Sequence, residues 1–485
     1  MAKNQAKILI IGAGASGIAA ATKLYQNGFK NLVILEAENR IGGRVCSVEF
    51  GSSFVDLGAT WVHGEKGNIV YEMVKDLNLV YPCQLPPGPG MSFFHIDGSQ
   101  ADKQLSDRLF EIAMAIKDDQ EQSKKHGGNF AEYFHAEYKE RIQKEFGPIP
   151  EPKIIQLATL VKNWFKKFMV LLNSAENWSQ LSTTSHYAFK GYEGDQLISW
   201  GSKGYKTILD VMLQKIPDPS QTLPIEEMIE LNKEVNKIIW NKEEVTVKCT
   251  DGSVYSADHM IMTVSVGVLK EMHKKAFVPG LPEQKVNSIE GIPLGTVNKI
   301  LLQFPHKWWP DDVKDISFLW SEDERDELIK EFPHGPIVNG RSWLENLFSF
   351  IAIDSHPTVL LGWVNGPTAK LVELLPDDVI IEGTMYMLRK FAGKQYDIPE
   401  PNGILRSKWG SNPHFRGSYV HVNSEMERRK ANAYDLSTPL MGENKDRPLI
   451  LFAGEATHSC RFSTVDGAIE TGYREANRII SFYSQ

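Results

Sequence analysis

The sequence predicts an α/β fold in two interleaved parts: a Rossmann-like part assembled from both chain ends, and an α+β part inserted into it. Three observations predict it. A strand, a Gly-x-Gly-x-x-Gly turn, a helix, a second strand and an acid follow one another up to Glu36. A buried-type strand running into a glycine and a final helix closes the chain after Pro448. Between them lie long charged stretches of helical period and separate strand runs that do not continue a βαβ repeat.

Lys7 to Ile11 is an apolar, β-branched run without polar alternation, the pattern of a strand buried in a parallel sheet. Gly12, Gly14 and Gly17, with Ala15 and Ser16 among them, form the turn, and a small-residue helix runs from about Ala15 to Gln26. The glycines permit a tight bend, a close approach of backbone to a pyrophosphate, and close packing of helix on strand. Asn31 to Leu35 is the second strand. It delivers Glu36 and Ala37, with Glu36 19 residues after Gly17, where a carboxylate can accept from ribose hydroxyls. Gly42-Gly43-Arg44 follows. Alone it is a surface turn with a solvated arginine; after the acid of a dinucleotide fold it can give a diphosphate a bidentate cation. A nicotinamide fold has no need of that addition, so the paired motifs point to FAD.

At the far end, Pro448 to Phe452 runs into Ala453-Gly454-Glu455, and a helix begins near Asp466-Gly467 and reaches about Tyr483. Its N-terminal N–H groups could face an anionic ligand or a reduced flavin. Glu234 to Val268 supplies the middle of this part, with Val245 to Val247 and Met260 to Val264 as strands. Leu85 to Gly90, all proline and glycine after its leucine, marks a crossing between parts. Gln104 to Leu172 is helical in period, interrupted at Pro148 to Pro152; Gly295 to Phe304 reads as a strand. Pro376 to Phe391 reads as an amphipathic helix with its proline in the first turn. The partition expected is a nucleotide-binding domain from 1–82, 227–294 and 413–485, with a second domain from 83–226 and 295–412.

Composition narrows the class. At 42% hydrophobic residues the 485-residue chain has ample core and is not disordered. Acids outnumber bases, 61 to 53, for a net charge of −8, a poor balance for gripping a phosphate backbone, so no nucleic-acid partner is expected. Cys46, Cys83, Cys249 and Cys460 form no CxxC pair, which argues against a disulfide scaffold or zinc site and favours a reducing compartment. No metal is expected. There is no apolar run of about 18 residues, no signal-like leader, and no Ser-Lys-Leu ending. A cytoplasmic protein, off the membrane, and a monomer or weak homodimer, is the expectation.

Together these segments resemble the FAD-dependent amine oxidases, a family that includes monoamine oxidases, polyamine oxidases and histone lysine demethylases. The resemblance is carried by Gly12 to Gly17, Leu35-Glu36-Ala37, Gly42-Gly43-Arg44, Gly58 to Gly64, Val264 to Lys270, Gly295 to Lys299, Trp409 to Pro413, and Phe452 to Thr457. It therefore spans nearly the whole chain. Trp61-Val62-His63-Gly64 and Arg416-Gly417-Ser418-Tyr419 look most like the animal spermine and N-acetylpolyamine oxidases.

The resemblance implies non-covalent FAD, because Ser418 stands where monoamine oxidases carry the cysteine that bonds to flavin. It implies cofactor contacts from Gly58, Ala59, Thr60, Trp61, Val235, Trp409, Glu455, Thr464 and Val465, beside those of the glycine turn, Glu36, Ala37, Gly43 and Arg44. Glu455 is implied to reach the ribityl or diphosphate region. Lys299, otherwise a solvated strand-end charge, is implied to hold a water against flavin N5 and to assist reoxidation by oxygen. His63, otherwise a packed histidine, is implied to sit beside the substrate amine, orienting it and tuning its pKa. Tyr419 matches one of two aromatics that flank the amine in monoamine oxidases. The second falls on Thr464, which could hydrogen-bond a polyamine nitrogen instead. Glu193 and Asp195, on a Gly-rich loop where acids are usually just solvated, are candidate contacts for a polycation. Trp200, Tyr192 and Phe189 nearby suit alkyl spacers or a core equally well.

The function expected is a flavin-dependent polyamine oxidase. It would oxidise spermine, spermidine or an acetylated form beside a secondary amine, with oxygen as acceptor, and release an aldehyde, a shorter amine and hydrogen peroxide. A monoamine or L-amino-acid oxidase of the same fold is the alternative within the class. A non-catalytic flavoprotein serving as a binding partner is the alternative outside it.

Overall fold

Apolar runs from both chain ends and the middle meet in one sheet. Ile8–Ile11 lies parallel between Leu32–Leu35 and His259–Met262, and Pro448–Phe452 pairs parallel with His259–Met262. Ile229–Glu230 and Leu440–Met441 close the two edges of this six-stranded sheet. Three central strands are buried at every position, as expected where helices or a second sheet cover both faces. On one face the helices Ala15–Gln26 and Val465–Phe482 pack so closely that a Cβ on Gly472 would run into the Ser16 carbonyl. On the other lies the four-stranded sheet that contains Val235–Trp240 and Val245–Cys249. The computed structural model describes residues 3–83, 91–184, 188–201, 203–240, 243–442 and 447–484; the expected crossing from Leu85 to Gly90 lies outside them.

A second six-stranded sheet runs in the order Gly403–Arg406, Asn298–Gln303, His356–Val364, Leu347–Ile353, Asp315–Leu319, Phe93–His95. Its strands alternate. Ile300 and Leu302 enter a core covered by the helix Asp377–Ala392, while Leu301, Leu361 and Trp363 face the other way, with Trp61 and Tyr419 packed against them. Pro376 is the N-cap of that helix and not a residue of its first turn, because its extended ψ of 157° precedes the helix; Asp377 and Asp378 occupy the turn.

The stretch predicted as helical from Gln104 to Leu172 divides into four helices, Lys103–Asp118, Gln120–His126, Phe130–Phe146 and Pro152–Leu172. Besides the proline interruption, breaks fall at Asp119 and at Gly127, and Gly127 and Gly147 end their helices with φ of 68° and 93°. Two short pairings tie the parts of the chain together: Leu294–Gly295 with Tyr419–Val420, and Trp61–Val62 with Ile198–Trp200. Both border the cavity described next.

Candidate active site

A cavity of about 1310 Å³ is lined by residues of both large sheets and of the helices Lys103–Asp118 and Pro152–Leu172. Pockets for one small molecule commonly measure about 300–1,000 Å³, so this one has room for a large cofactor and a substrate together.

Its first end is an anion cradle. Gly12 takes φ of 104°, and a Cβ there would lie 2.5 Å from Thr263 Oγ1. A Cβ on Gly17 would strike the Gly12 carbonyl, so Gly17 sets the helix on its strand and does not itself line the cavity. Gly14 differs: its nearest neighbour would be 3.9 Å away, on the cavity side, and as N-cap it offers no side-chain cap to the helix N–H groups. Ser16 Oγ is buried in the same wall with no partner among the described residues. Uncapped N–H groups and an orphan hydroxyl suit a phosphate.

Glu36 is buried at the strand end. One carboxylate oxygen accepts from Ala13 N at 2.7 Å and the other from Glu38 N at 2.8 Å. Burial pushes its pKa up while those two N–H groups oppose the rise. Each oxygen keeps acceptor capacity for a ribose hydroxyl. Ala37, Gly43 and Val235 line the cavity beside it.

Arg44 crosses from this cradle to the next group. Its Nη1 donates to the Ser418 carbonyl at 2.8 Å and to Glu455 Oε1 at 2.9 Å, while Glu455 Oε2 accepts from Ser463 N at 2.9 Å. Both oxygens of Glu455 are therefore engaged by protein groups, and the guanidinium it holds lines the cavity. Gly58, Ala59, Thr60, Trp61, Trp409, Thr464 and Val465 complete the wall. Trp409 is fixed by Nε1 donating to the Leu57 carbonyl at 3.0 Å and by an edge contact with Phe415.

Lys299 is buried there, and its ammonium donates to the carbonyls of Asp56, at 2.8 Å, and Gly58, at 2.6 Å, and to Thr60 Oγ1. Burial pulls its pKa down to about 8, with the Asp56 carboxylate opposing. All three donors have protein acceptors. Lys299 is thus a clamp on the Asp56-to-Thr60 turn.

His63 follows the short strand Trp61–Val62. Its Nδ1 lies 2.7 Å from the Gln196 carbonyl, which can only accept, so Nδ1 carries a proton and, in the neutral ring, Nε2 carries the lone pair. Tyr419 lines the same cavity, its hydroxyl donating to the Leu171 carbonyl at 2.7 Å; burial pushes its pKa up. Thr464 caps the helix Val465–Phe482: its hydroxyl accepts from Gly467 N at 3.1 Å and donates to the Arg461 carbonyl at 2.8 Å. The donor is spent, which leaves Thr464 only as an acceptor for a substrate N–H. Ser418 Oγ bonds Val297 N and O at 2.9 and 3.1 Å, and no cysteine lines the cavity.

Two expected contacts are not brought to the cavity. Glu193 is solvent-exposed and paired with Lys66 at 2.9 Å, and Asp195 caps its own turn by accepting from Leu197 N at 2.9 Å. Their backbones serve instead: the carbonyls of Glu193 and Asp195 accept from Glu65, Lys66 and Gly64, holding the turn that follows His63. Trp200 is core, tilted against Tyr205 with ring centroids 4.8 Å apart, and Phe189 alone of the three nearby aromatics lines the cavity.

Three of the wall residues that sequence reasoning missed bear on the site's chemistry. Trp363 sits opposite Lys299 on the neighbouring strand, 6.3 Å from Trp61 ring to ring. Asp466, in the first turn of the last helix, is buried with Oδ2 unpartnered among the described residues, and burial raises its pKa. Asp315 lies on a strand the sequence reading left unassigned. An acid followed by glycine at a helix start was a visible signal for Asp466; for the other two there was none.

A cavity that begins at the glycine turn and continues to the second sheet has the shape and the lining of a dinucleotide-dependent enzyme. The sequence profile described as flavin containing amine oxidoreductase matches residues 15–480, and the chain belongs to that family. It is an oxidoreductase acting on CH–NH groups, and its cofactor is FAD. It is similar to probable polyamine oxidase 5 of Arabidopsis thaliana, 28% identical over 100% of this chain and 99% of that protein. The human peroxisomal N(1)-acetyl-spermine/spermidine oxidase is 28% identical over 99% of this chain and 95% of its own length. Polyamine oxidase 1 of Oryza sativa is 26% identical over 100% and 98%. Among the described residues no helix is long and apolar enough to cross a membrane, and no group of His, Cys, Asp and Glu is placed to hold a metal ion.

Proposed function

We propose that the protein is a polyamine oxidase that acts on spermine, spermidine or an acetylated form at a carbon beside a secondary amine. FAD, when bound, supplies the acceptor for hydride from that carbon and passes the electrons to oxygen, giving hydrogen peroxide. The imine left behind adds water and breaks into an aldehyde and a shorter amine. The observation that carries the reading is the make-up of the wall around Tyr419. The same cavity is lined by Tyr419, by Thr464 where a monoamine cage has its second aromatic, and by His63, the last two as hydrogen-bonding groups. A monoamine site wants aromatic faces on both sides of one nitrogen. A substrate with several nitrogens wants acceptors spread along a passage, such as His63 Nε2 and Thr464 Oγ1.

The chain's own residues prepare the step. The Gln196 carbonyl holds His63 in the tautomer whose Nε2 can accept a proton from a substrate ammonium, the change an amine needs before it can lose hydride. Cys46, Cys249 and Cys460 as free thiols fit the cytoplasmic setting we propose. A panel of spermine, spermidine, N-acetylspermine, benzylamine and leucine, read by peroxide release, tests the reading. We expect the best polyamine to exceed benzylamine at least ~100-fold in kcat/KM, about 2.7 kcal/mol of transition-state binding. Comparable rates on benzylamine would overturn it.

A further inference from the structure

One wall of the cavity is a row of side chains across the second sheet. Lys299 pairs with Trp363 on the next strand; beyond it Ser349 and Ile351 line the cavity, and these pair with Ser317 and Asp315 on the strand after that. The row begins at the clamp on the Gly58-to-Thr60 turn and ends at a carboxylate. Three strand spacings of about 4.8 Å, and two residues of about 3.4 Å along the strand from Ser317, place Asp315 on the order of 16 Å from Lys299, backbone to backbone.

Asp315 is an unusual residue to find at the end of an apolar passage. It is 4% exposed. Oδ1 accepts from Ser92 N at 3.0 Å and Oδ2 from Ser317 Oγ at 2.7 Å, which leaves each oxygen with capacity for another donor. Among the described residues no lysine, arginine or histidine forms an ion pair with it; the Lys103 ammonium that acts on it is itself paired with Asp107 at 3.2 Å. Lys117, which lines the same cavity, is bonded to Asp118 at 2.5 Å. The walls between are aromatic: Trp164 stacks on Phe168 at 5.5 Å and meets Phe348 edge-on at 5.3 Å. Such rings pack methylenes and attract a cation over their faces. Burial pushes the Asp315 pKa up to about 7, the mark of a carboxylate short of a counter-charge.

We propose that Asp315 is the counter-ion for a second ammonium of the substrate, remote from the amine being oxidised. The site then takes linear oligoamines by the spacing of their charges. This rests on the polyamine reading above and deepens it. The lengths agree: an extended chain advances about 1.2 Å per bond, so nine bonds, a four-carbon and a three-carbon spacer in series, span about 11 Å. The reach of the two side chains covers the remainder. Aromatic walls hold the spacers, and Ser349 lies one strand before the end.

The test uses the FAD-loaded protein and its Asp315→Asn variant, which keeps shape and an acceptor for Ser92 N. Two probes are titrated without oxygen, by calorimetry and by flavin reduction after rapid mixing. Spermine carries the remote nitrogens; N-butyl-1,3-diaminopropane keeps the reactive secondary amine and lacks them. We expect the substitution to raise the Kd of spermine at least ~10-fold, to change that of the short diamine less than about twofold, and to leave the limiting reduction rate unchanged. An equal loss for both probes, or unaltered spermine affinity, would overturn the subsite. Spermine that reduces the flavin of both proteins with one affinity sinks the subsite and leaves the oxidase reading standing. Spermine that binds through Asp315 but never reduces wild-type flavin does the reverse.

Discussion

Replacing Lys299 with methionine should change how stability depends on pH, by an amount the structure sets. The folded pKa of Lys299 is about 8, against about 10.4 for an unfolded lysine. Between those values the unfolded chain binds more protons than the folded one, so stability rises with pH across the window, and below about pH 8 the cost of the buried charge is fully present. Integrating from pH 7.5 to 9.5 gives the wild type about 2 kcal/mol that a Lys299→Met variant cannot gain. At about 2.1 cal/mol/K per residue, the unfolding entropy of a chain this long converts that into about 2 °C. Melting temperatures of both proteins, with excess FAD and one heating rate, should therefore diverge in the wild type's favour by that amount between the two pH values. Lys167 and Lys285, both pulled down to about 7 by burial, titrate alike in the two proteins and cancel. A difference that stays flat across the window would show that Lys299 is not the desolvated clamp described above.

Three further outcomes follow from the site. Acid or heat should release all FAD into the supernatant, because Ser418 offers a hydroxyl bonded to Val297 and no thiol lines the cavity; flavin in the pellet would refute this. Gly14→Glu should fold yet purify colourless, since φ of −74° suits any residue while the new carboxylate would occupy the anion cradle; a yellow variant would displace the cradle. His63→Ala should lower kcat/KM for spermine about tenfold or more with FAD content unchanged, and wild-type kinetics would remove His63 from the substrate's surroundings.

The parts legible in the sequence are those that local chemistry decides. Ile8–Ile11, Ala15–Gln26 and Pro448–Phe452 follow directly from apolar runs, a glycine turn and small residues, because each signal sits within the element it specifies. Helix breaks at Asp119 and Gly127 were missed within a strongly periodic stretch, where periodicity outweighed single residues. Asp315 and Trp363 were missed for another reason. Their place on the wall depends on the register of four strands drawn from 298–364, and register is a long-range property. Glu193 and Asp195 show the converse error. Composition suggested acidic side chains for a cation, yet which way a loop turns its side chains is fixed by its partners, and here the carbonyls do the work.

Tyr419 shows how those partners prepare the site. Its strand is held from four directions: the ladder to Gly295, the Ser418 hydroxyl on Val297, Arg44 on the Ser418 carbonyl, and Ser174 Oγ on the Tyr419 carbonyl at 2.7 Å. The phenol is held separately, by Leu171 in the last turn of the helix Pro152–Leu172. Ring and backbone are therefore both fixed before any substrate arrives, so little rotamer freedom is left to lose on binding. Arg44 is the telling member of this set. One guanidinium nitrogen bonds both Glu455, on the cofactor side, and the carbonyl just before Tyr419. The Arg44 guanidinium thus fixes the strand of Tyr419 while it holds Glu455, and two stretches of the cavity wall share a single support.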